Sequence, residues 1–196
     1  MATHKLGERF PHAAALLGKD AAKLTLRDIK KMVTYDPETG SFYYGVLGKS
    51  SKYGWQKQYA GRKMATSSKN GDYCRTNFCG YSVKSHRLAW LLMTGKWPKG
   101  MVDHINGDRS DNRWENLRDA NYSQNAINRR KLNSNNTSGA RQVSWNKEAK
   151  KWRAYVRANG RITHVGYFDL FSDAVEAQAR KEVEIWGEYS PHYKKD

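Results

Sequence analysis

The sequence predicts an α+β protein assembled from two or three small modules rather than one large globule. Short strand-like runs bounded by turn residues alternate with amphipathic helical segments along the whole chain. Only 38% of the 196 residues are hydrophobic and the mean hydropathy is −0.92, too polar for a single large core although the chain is long enough to bury one. Tight-turn signals at Lys69-Asn70-Gly71 and Asn159-Gly160 mark small antiparallel sheets.

The first 98 residues read as an α+β region with a small antiparallel sheet. An apolar cluster, Ala13 to Leu17, suggests a short helix or an ordered arm and carries no functional assignment. Thr25-Leu26-Arg27-Asp28 is a capping-box start, and Ile29, Met32 and Val33 recur at helical spacing, so a helix is expected to stop before Asp36-Pro37-Glu38-Thr39-Gly40. Ser41 to Tyr44 reads as a strand, and Lys49 to Gly61 as a Gly, Ser and Lys-rich loop with Tyr53, Trp55 and Tyr59. Tyr73 to Phe78 and Tyr81 to Lys84 are expected strands flanking Cys79-Gly80. Ser85 is the expected cap of a helix with apolar Leu88, Ala89, Leu91 and Leu92, ending at Gly95. His86, in its first turn and without an acidic neighbour, reads as a hydrogen-bonded structural residue.

Residues 99–131 hold the chemistry. Val102 to Ile105 is an expected strand carrying Asp103 and His104, whose side chains alternation sends to opposite faces unless the strand is bulged. A polar loop through Gly107 and Asp108 to Asn112 returns on Trp114 and Leu117, and Asn121 with Gln124 starts a helix expected from Tyr122 to Lys131. His104 is the nearby group whose ordinary pKa suits a general base. Asp103 and the Asn125 oxygen are hard ligands favouring Mg²⁺ or Mn²⁺ over zinc, and Asn116 could lock the loop or orient His104. The plainer alternative is that these are polar strand residues before an Asn-rich loop.

Residues 132–138, L-N-S-N-N-T-S, read as a linker, and 139–190 as a further module. Strands are expected at Ala140 to Trp145, Trp152 to Arg157 and Ile162 to Phe168, with a hairpin turn at Asn159-Gly160. Alternation puts Ala154 and Val156 on a core face and Arg153, Tyr155 and Arg157 on a basic one. A helix from Ser172 to about Trp186 presents Phe171, Val175, Ala179, Val183 and Trp186 at near-helical spacing to cover the sheet. The basic sheet face and the acid-rich helix orient the module on a polyanion.

Net charge agrees: 35 Lys and Arg against 19 Asp and Glu give +16, which points to nucleic acid first and a membrane surface second. No long apolar run, lipidation signal or signal-peptide core is found, so a cytoplasmic protein is expected, without an obligate protein partner. Cys74 and Cys79 lack zinc-site spacing and read as free thiols.

V-D-H-I-N-G-D-R-S-D-N-R-W-E-N-L-R followed by S-Q-N-A-I-N-R-R resembles the HNH motif of phage and intron-encoded homing endonucleases, which have a ββα-metal fold. The resemblance implies Asp103 and Asn125 as ligands of one divalent metal, His104 as the group that activates water, and Asn116 as support for the loop. Many members have histidine where Asp103 and Asn125 stand, so the chain is similar to the Asp/Asn subset of phage enzymes, and the metal shifts away from zinc or nickel. Ser85 to Pro98 resembles the helix that precedes the motif. The segments S-G-A-R-Q-V-S-W, K-W-R-A-Y-V-R and N-G-R-I-T-H-V-G-Y-F-D resemble the AP2 DNA-binding domain, a three-stranded sheet backed by one helix, with Gln142 where that pattern usually has glycine. The expected contacts to double-stranded DNA are Arg141, Ser144, Arg153, Tyr155, Arg157 and His164, with Arg129 and Arg130 after the catalytic helix. Together these imply a phage homing endonuclease acting in a bacterial host. A non-catalytic DNA-binding regulator that keeps the HNH scaffold, or a binder of structured RNA, are the rival readings.

Overall fold

A computed structural model describes residues 23, 25–45, 59–68, 72–78, 81–128 and 132–194. The expectations for residues 1–22, for most of the Lys49 to Gly61 loop, and for Lys69-Asn70-Gly71 and Cys79-Gly80 lie outside them. The described residues are mixed α and β, in two compact units. Residues up to His104 with Asp108–Asp119 form one, and Ile105–Gly107 with the residues from Ala120 onward form the other. No described helix is long and apolar enough to cross a membrane.

The first unit opens with α1 (Leu26–Met32), started by the expected capping box: Thr25 accepts from the Asp28 N–H, and the Asp28 carboxylate accepts from the Thr25 N–H at 3.0 Å. The helix stops earlier than its apolar spacing suggests. Val33 leaves it in extended conformation and begins β1 (Val33–Asp36), which pairs antiparallel with β2 (Ser41–Tyr44), Val33 opposite Tyr44. Asp36 to Gly40 is therefore a hairpin connection rather than a helix terminator. A β-branched residue in a ladder satisfies its backbone as a last helical turn would not.

A three-stranded sheet follows in the order β3 (Thr66–Ser67), β4 (Arg75–Phe78) and β5 (Tyr81–Lys84). Its second strand starts at Arg75, two residues after the expected Tyr73. α2 (Ser85–Thr94) ends at Gly95, whose φ of 78° closes the helix as expected. Ser85 is not its cap. It is the first helical residue, and its hydroxyl bonds the buried Thr76 hydroxyl at 2.8 Å, tying helix to sheet. β6 (Met101–His104), one residue shifted from the expected Val102 to Ile105, pairs with β7 (Leu117–Ala120) after a 3₁₀ turn at Trp114–Asn116. Ile29, Phe42, Met64, Leu88, Leu91, Val102 and Leu117 fill the core between these elements, and Trp114 meets Trp90 in a tilted contact with centroids 5.2 Å apart.

In the second unit α3 (Tyr122–Ile127) starts from the Asn121 and Gln124 capping box, with bonds of 2.9 and 2.8 Å. It ends at Ile127 instead of continuing to Lys131, and Asn128 caps it. The sheet order is β10 (Arg161–Phe168), β9 (Lys151–Ala158), β8 (Val143–Asn146), all antiparallel, with Asn159 and Gly160 both at positive φ in the expected tight turn. The first strand begins at Val143, not Ala140. Gln142 sits just before it at φ 58°, a left-handed conformation that glycine adopts without strain. Its side-chain oxygen accepts from Gln178 Nε2 at 3.3 Å, a contact glycine could not make.

α4 (Phe171–Trp186) backs the sheet over Val143 and Ala154. Its most buried residues are Ala174, Ala177, Gln178 and Glu182, so the inward face is turned from the expected stripe, and Val183 is only half-buried. The turn has a polar cause. Glu182, 1% exposed, accepts from Gln178 Nε2 at 2.9 Å and Ser190 Oγ at 3.1 Å, and these bonds repay its burial.

Gly40 is a tight point of the first unit. At φ 69°, a Cβ there would lie 2.6 Å from the Arg113 backbone nitrogen. Gly40→Ala should cost on the order of 2–3 kcal/mol in urea unfolding, from left-handed strain plus backbone overlap. A loss below about 0.5 kcal/mol would show that the turn does not press on that loop.

Candidate active site

Asp103 and His104 end β6, both buried, and strand alternation gives them separate surroundings. Asp103 meets Arg118 of the neighbouring β7. The guanidinium Nε and Nη2 both donate to Oδ2, at 3.0 and 2.8 Å, and the Arg118 side chain is only 10% exposed. His104 instead lies among rings and the loop. Its Nε2 is 3.3 Å from Asn112 Oδ1, its ring meets His86 edge-on at 5.1 Å, and Tyr73 lies 5.9 Å away.

The loop that brings Asn112 to the ring is held by its own polar side chains. Asp108 Oδ1 accepts from the Ser110 N–H and hydroxyl at 2.8 and 2.6 Å, Asn116 Nδ2 donates to the Asp111 carbonyl at 2.8 Å, and Asn112 Nδ2 donates to the Ser110 carbonyl at 3.0 Å. The β1–β2 hairpin supports it from outside: Tyr35 Oη donates to the Asn112 carbonyl at 2.6 Å, and the Trp114 N–H donates to the Pro37 carbonyl at 2.9 Å. With its amide nitrogen turned to Ser110, Asn112 presents an acceptor to the ring. This contact favours the His104 tautomer with the proton on Nε2 and the lone pair on Nδ1.

Burial pushes the His104 pKa below the ordinary histidine range, partly offset by the Asn112 bond and the Asp103 charge, so the ring is neutral at pH 7. His86 is pushed further, to about 3, by burial and by the neighbouring His104, Lys84 and Arg87 charges. It is not the hydrogen-bonded structural residue expected. Its buried Nδ1 meets no hydrogen-bond partner among the described residues, and its ring is spent on contact with His104 and Tyr73. Lys84 Nζ and Arg109 Cζ lie 4.6 and 4.7 Å from the centroid of the same Tyr73 ring, which sets two cations close to the histidine pair.

Asn116 thus lies in the loop beside this site, while Asn125 is half-buried on α3 in the second unit. Among the described residues no group of three or more His, Cys, Asp or Glu side chains is placed to hold a metal ion. Sequence reasoning did not reach Tyr73, Asn112 or Arg118, whose roles arise from contacts between separate segments. The strand alternation that isolates Asp103 was its one local signal.

In the second unit, register places the expected DNA contacts together. Ser144 and Tyr167 flank Arg153, and His164 pairs with Tyr155, all on the face opposite α4 with Arg157. Arg153 lies over the Tyr155 ring at 5.4 Å, and His164 meets Tyr167 at 4.9 Å. Ile162, opposite Arg157 and 60% exposed, and Tyr167, 45% exposed, add apolar surface that the sequence reading left out. Arg141 Nη1 donates to the Ile127 carbonyl at the end of α3 at 2.7 Å. Arg129 and Arg130 lie outside the described residues.

A family model described as HNH endonuclease matches residues 83–127, which include Asp103, His104, Asn116 and Asn125. Protein 3.8 of Escherichia phage T7 is 33% identical over 108 residues, covering 55% of this chain and 88% of the relative. No solved structure matches the chain.

The buried histidines make folding acid-sensitive. Unfolded, His86 titrates at its ordinary 6.5, and folded at about 3, so the unfolded chain binds more protons between those values. The stability is complete above pH 6.5 and falls towards pH 3, by up to about 1.4 kcal/mol per pH unit for this one group. His86→Phe should therefore lose less stability than the wild type between about pH 7 and pH 4.5 in urea unfolding, and an equal loss would contradict a neutral buried His86.

Proposed function

The chain belongs to the family of phage T7 Protein 3.8 and carries an HNH endonuclease domain, and from this we propose that it is a DNA endonuclease hydrolysing phosphodiester bonds with one divalent metal ion. The observation that carries the reading is His104 itself: inside the matched region, neutral, buried, and held through Nε2 so that Nδ1 is the basic atom. Nδ1 takes the proton of the attacking water, and the neutral ring is the form competent to do so at pH 7. Asn116 holds the loop through the Asp111 carbonyl, which keeps Asn112 against the ring.

Asp103 and Asn125 would hold the metal. Their donor set, one carboxylate and one amide oxygen, fits Mg²⁺ or Mn²⁺ retaining several waters better than a caged zinc. When bound, such an ion neutralises charge on the scissile phosphate and the leaving oxygen. Arg118 holds the Asp103 carboxylate in place through Oδ2, and Lys84 and Arg109 on Tyr73 add positive charge for a phosphate backbone. Arg153, Tyr155, Arg157, His164 and Ser144 form an AP2-like face that targets double-stranded DNA. A phage homing enzyme acting in a host cytoplasm fits this combination.

One observation favours a non-catalytic DNA-binding regulator: Arg118 already neutralises Asp103, as a scaffold without metal would require. Plasmid nicking separates the readings. The wild type should relax supercoiled plasmid only with Mg²⁺ or Mn²⁺, and His104→Ala should lose at least about 100-fold in rate while retaining DNA binding. Asp103→Asn keeps an acceptor for Arg118 and should raise the metal concentration needed. Cleavage by His104→Ala near the wild-type rate would remove the base assignment, and absence of metal-dependent nicking by the wild type would favour the regulator.

A further inference from the structure

Beside the exposed sheet face of the second unit runs an open groove of about 570 Å³, walled by α3, by residues 133–138 and by β8 and β9. Tyr122, Asn135, Thr137, Arg141, Tyr155 and Arg157 line it, and among the described residues no acidic side chain does. A small-molecule pocket is mostly apolar with a few placed polar groups, whereas this lining is dominated by amides, hydroxyls, guanidiniums and two tyrosine rings. Amides and hydroxyls donate to phosphate oxygens, guanidiniums pair with phosphate charge, and aromatic rings pack on sugars and bases.

The 133–138 wall is firmly bound into the unit. Asn136 accepts from the Gly139 N–H at 2.8 Å and donates to the Ala140 carbonyl at 2.8 Å, and Ser138 Oγ donates to the Val143 carbonyl at 2.6 Å. Arg141, also in the lining, donates to the Ile127 carbonyl at 2.7 Å and so ties the end of α3 to the residues before β8. Tyr122, at the first position of α3, is 75% exposed. A basic trough with the exposed Tyr122 ring at its edge is the chemistry that a polyanionic strand requires.

We propose that this groove seats the sugar–phosphate backbone of one DNA strand, making residues 133–138 and the start of α3 a second DNA contact beside the basic sheet face. The proposal rests on the reading of the protein as a DNA binder. Ser144, Tyr155 and Arg157 belong to both surfaces, so the groove continues the basic sheet face. The helix carrying Asn125 then grips the same duplex as the sheet, by contacts that do not read base sequence.

The test uses the full chain and fluorescence anisotropy with a labelled duplex across a salt series. Asn135 and Thr137 are exposed, so the double variant Asn135→Asp, Thr137→Glu adds two negative charges to the wall without disturbing packing. Its affinity should fall at least about tenfold, and Tyr122→Ala should weaken binding several-fold, at unchanged thermal midpoints. Arg180→Gln, on α4, should bind as the wild type does. Wild-type affinity in the double variant, with Arg153→Gln weakened, would overturn the groove and leave the DNA-binding sheet standing. A wild type without salt-dependent duplex binding would instead overturn the reading beneath both. Loss of single-stranded RNA binding alone in the double variant would also overturn the proposal, since it assigns the groove to DNA.

Discussion

The contact between His104 Nε2 and Asn112 Oδ1 is the interaction on which the candidate chemistry depends. It favours Nδ1 as the basic ring nitrogen, and it can exist only if the 108–116 loop folds back over the end of β6. Backbone and side-chain bonds do that folding: Tyr35 to the Asn112 carbonyl, Trp114 to Pro37, and Asn116 to Asp111. Gly40 allows the hairpin to come close enough to make them, at a position where any Cβ would collide with the loop backbone. The N-terminal hairpin, remote in sequence, is thus structurally part of the site.

Among the described residues the buried carboxylates Asp103 and Glu182 are matched by donors. Asp103 is paired with Arg118, and Glu182 is surrounded by hydrogen-bond donors. Burial of carboxylates without such partners would cost several kcal/mol each. The two buried histidines avoid the cost by staying neutral. By contrast Arg153 and Arg157 extend from the sheet face opposite α4, where counterions or a nucleic acid supply the opposite charge.

Features written in short-range code were legible in the sequence. Both capping boxes, the Gly95 stop, the Asn159-Gly160 turn and the Ala154/Val156 core face of β9 follow from spacing alone, and the α+β class with its three-stranded sheet and single backing helix was readable. Features decided by distant partners were not. Val33 completes a helical apolar pattern, yet its pairing with Tyr44 prevails. Ser85 looks like a cap, but Thr76 takes its hydroxyl. The face of α4 turned because Glu182 found donors in Gln178 and Ser190, which periodicity cannot foresee. Asp103, His104, Asn116 and Asn125 could be picked out by their resemblance to the HNH motif. The neighbours of Asp103 and His104, which are Asn112, His86, Tyr73 and Arg118, emerge only when separate chain segments meet.

The most direct measurement is the single-turnover rate of plasmid nicking by Asn112→Ala with Mg²⁺ present, alongside its DNA affinity and thermal midpoint. A ring that has lost its acceptor is free to change tautomer and to turn, so the account predicts at least about a tenfold fall in rate at unchanged affinity. A wild-type rate in the folded variant would contradict the claim that Asn112 makes His104 a base.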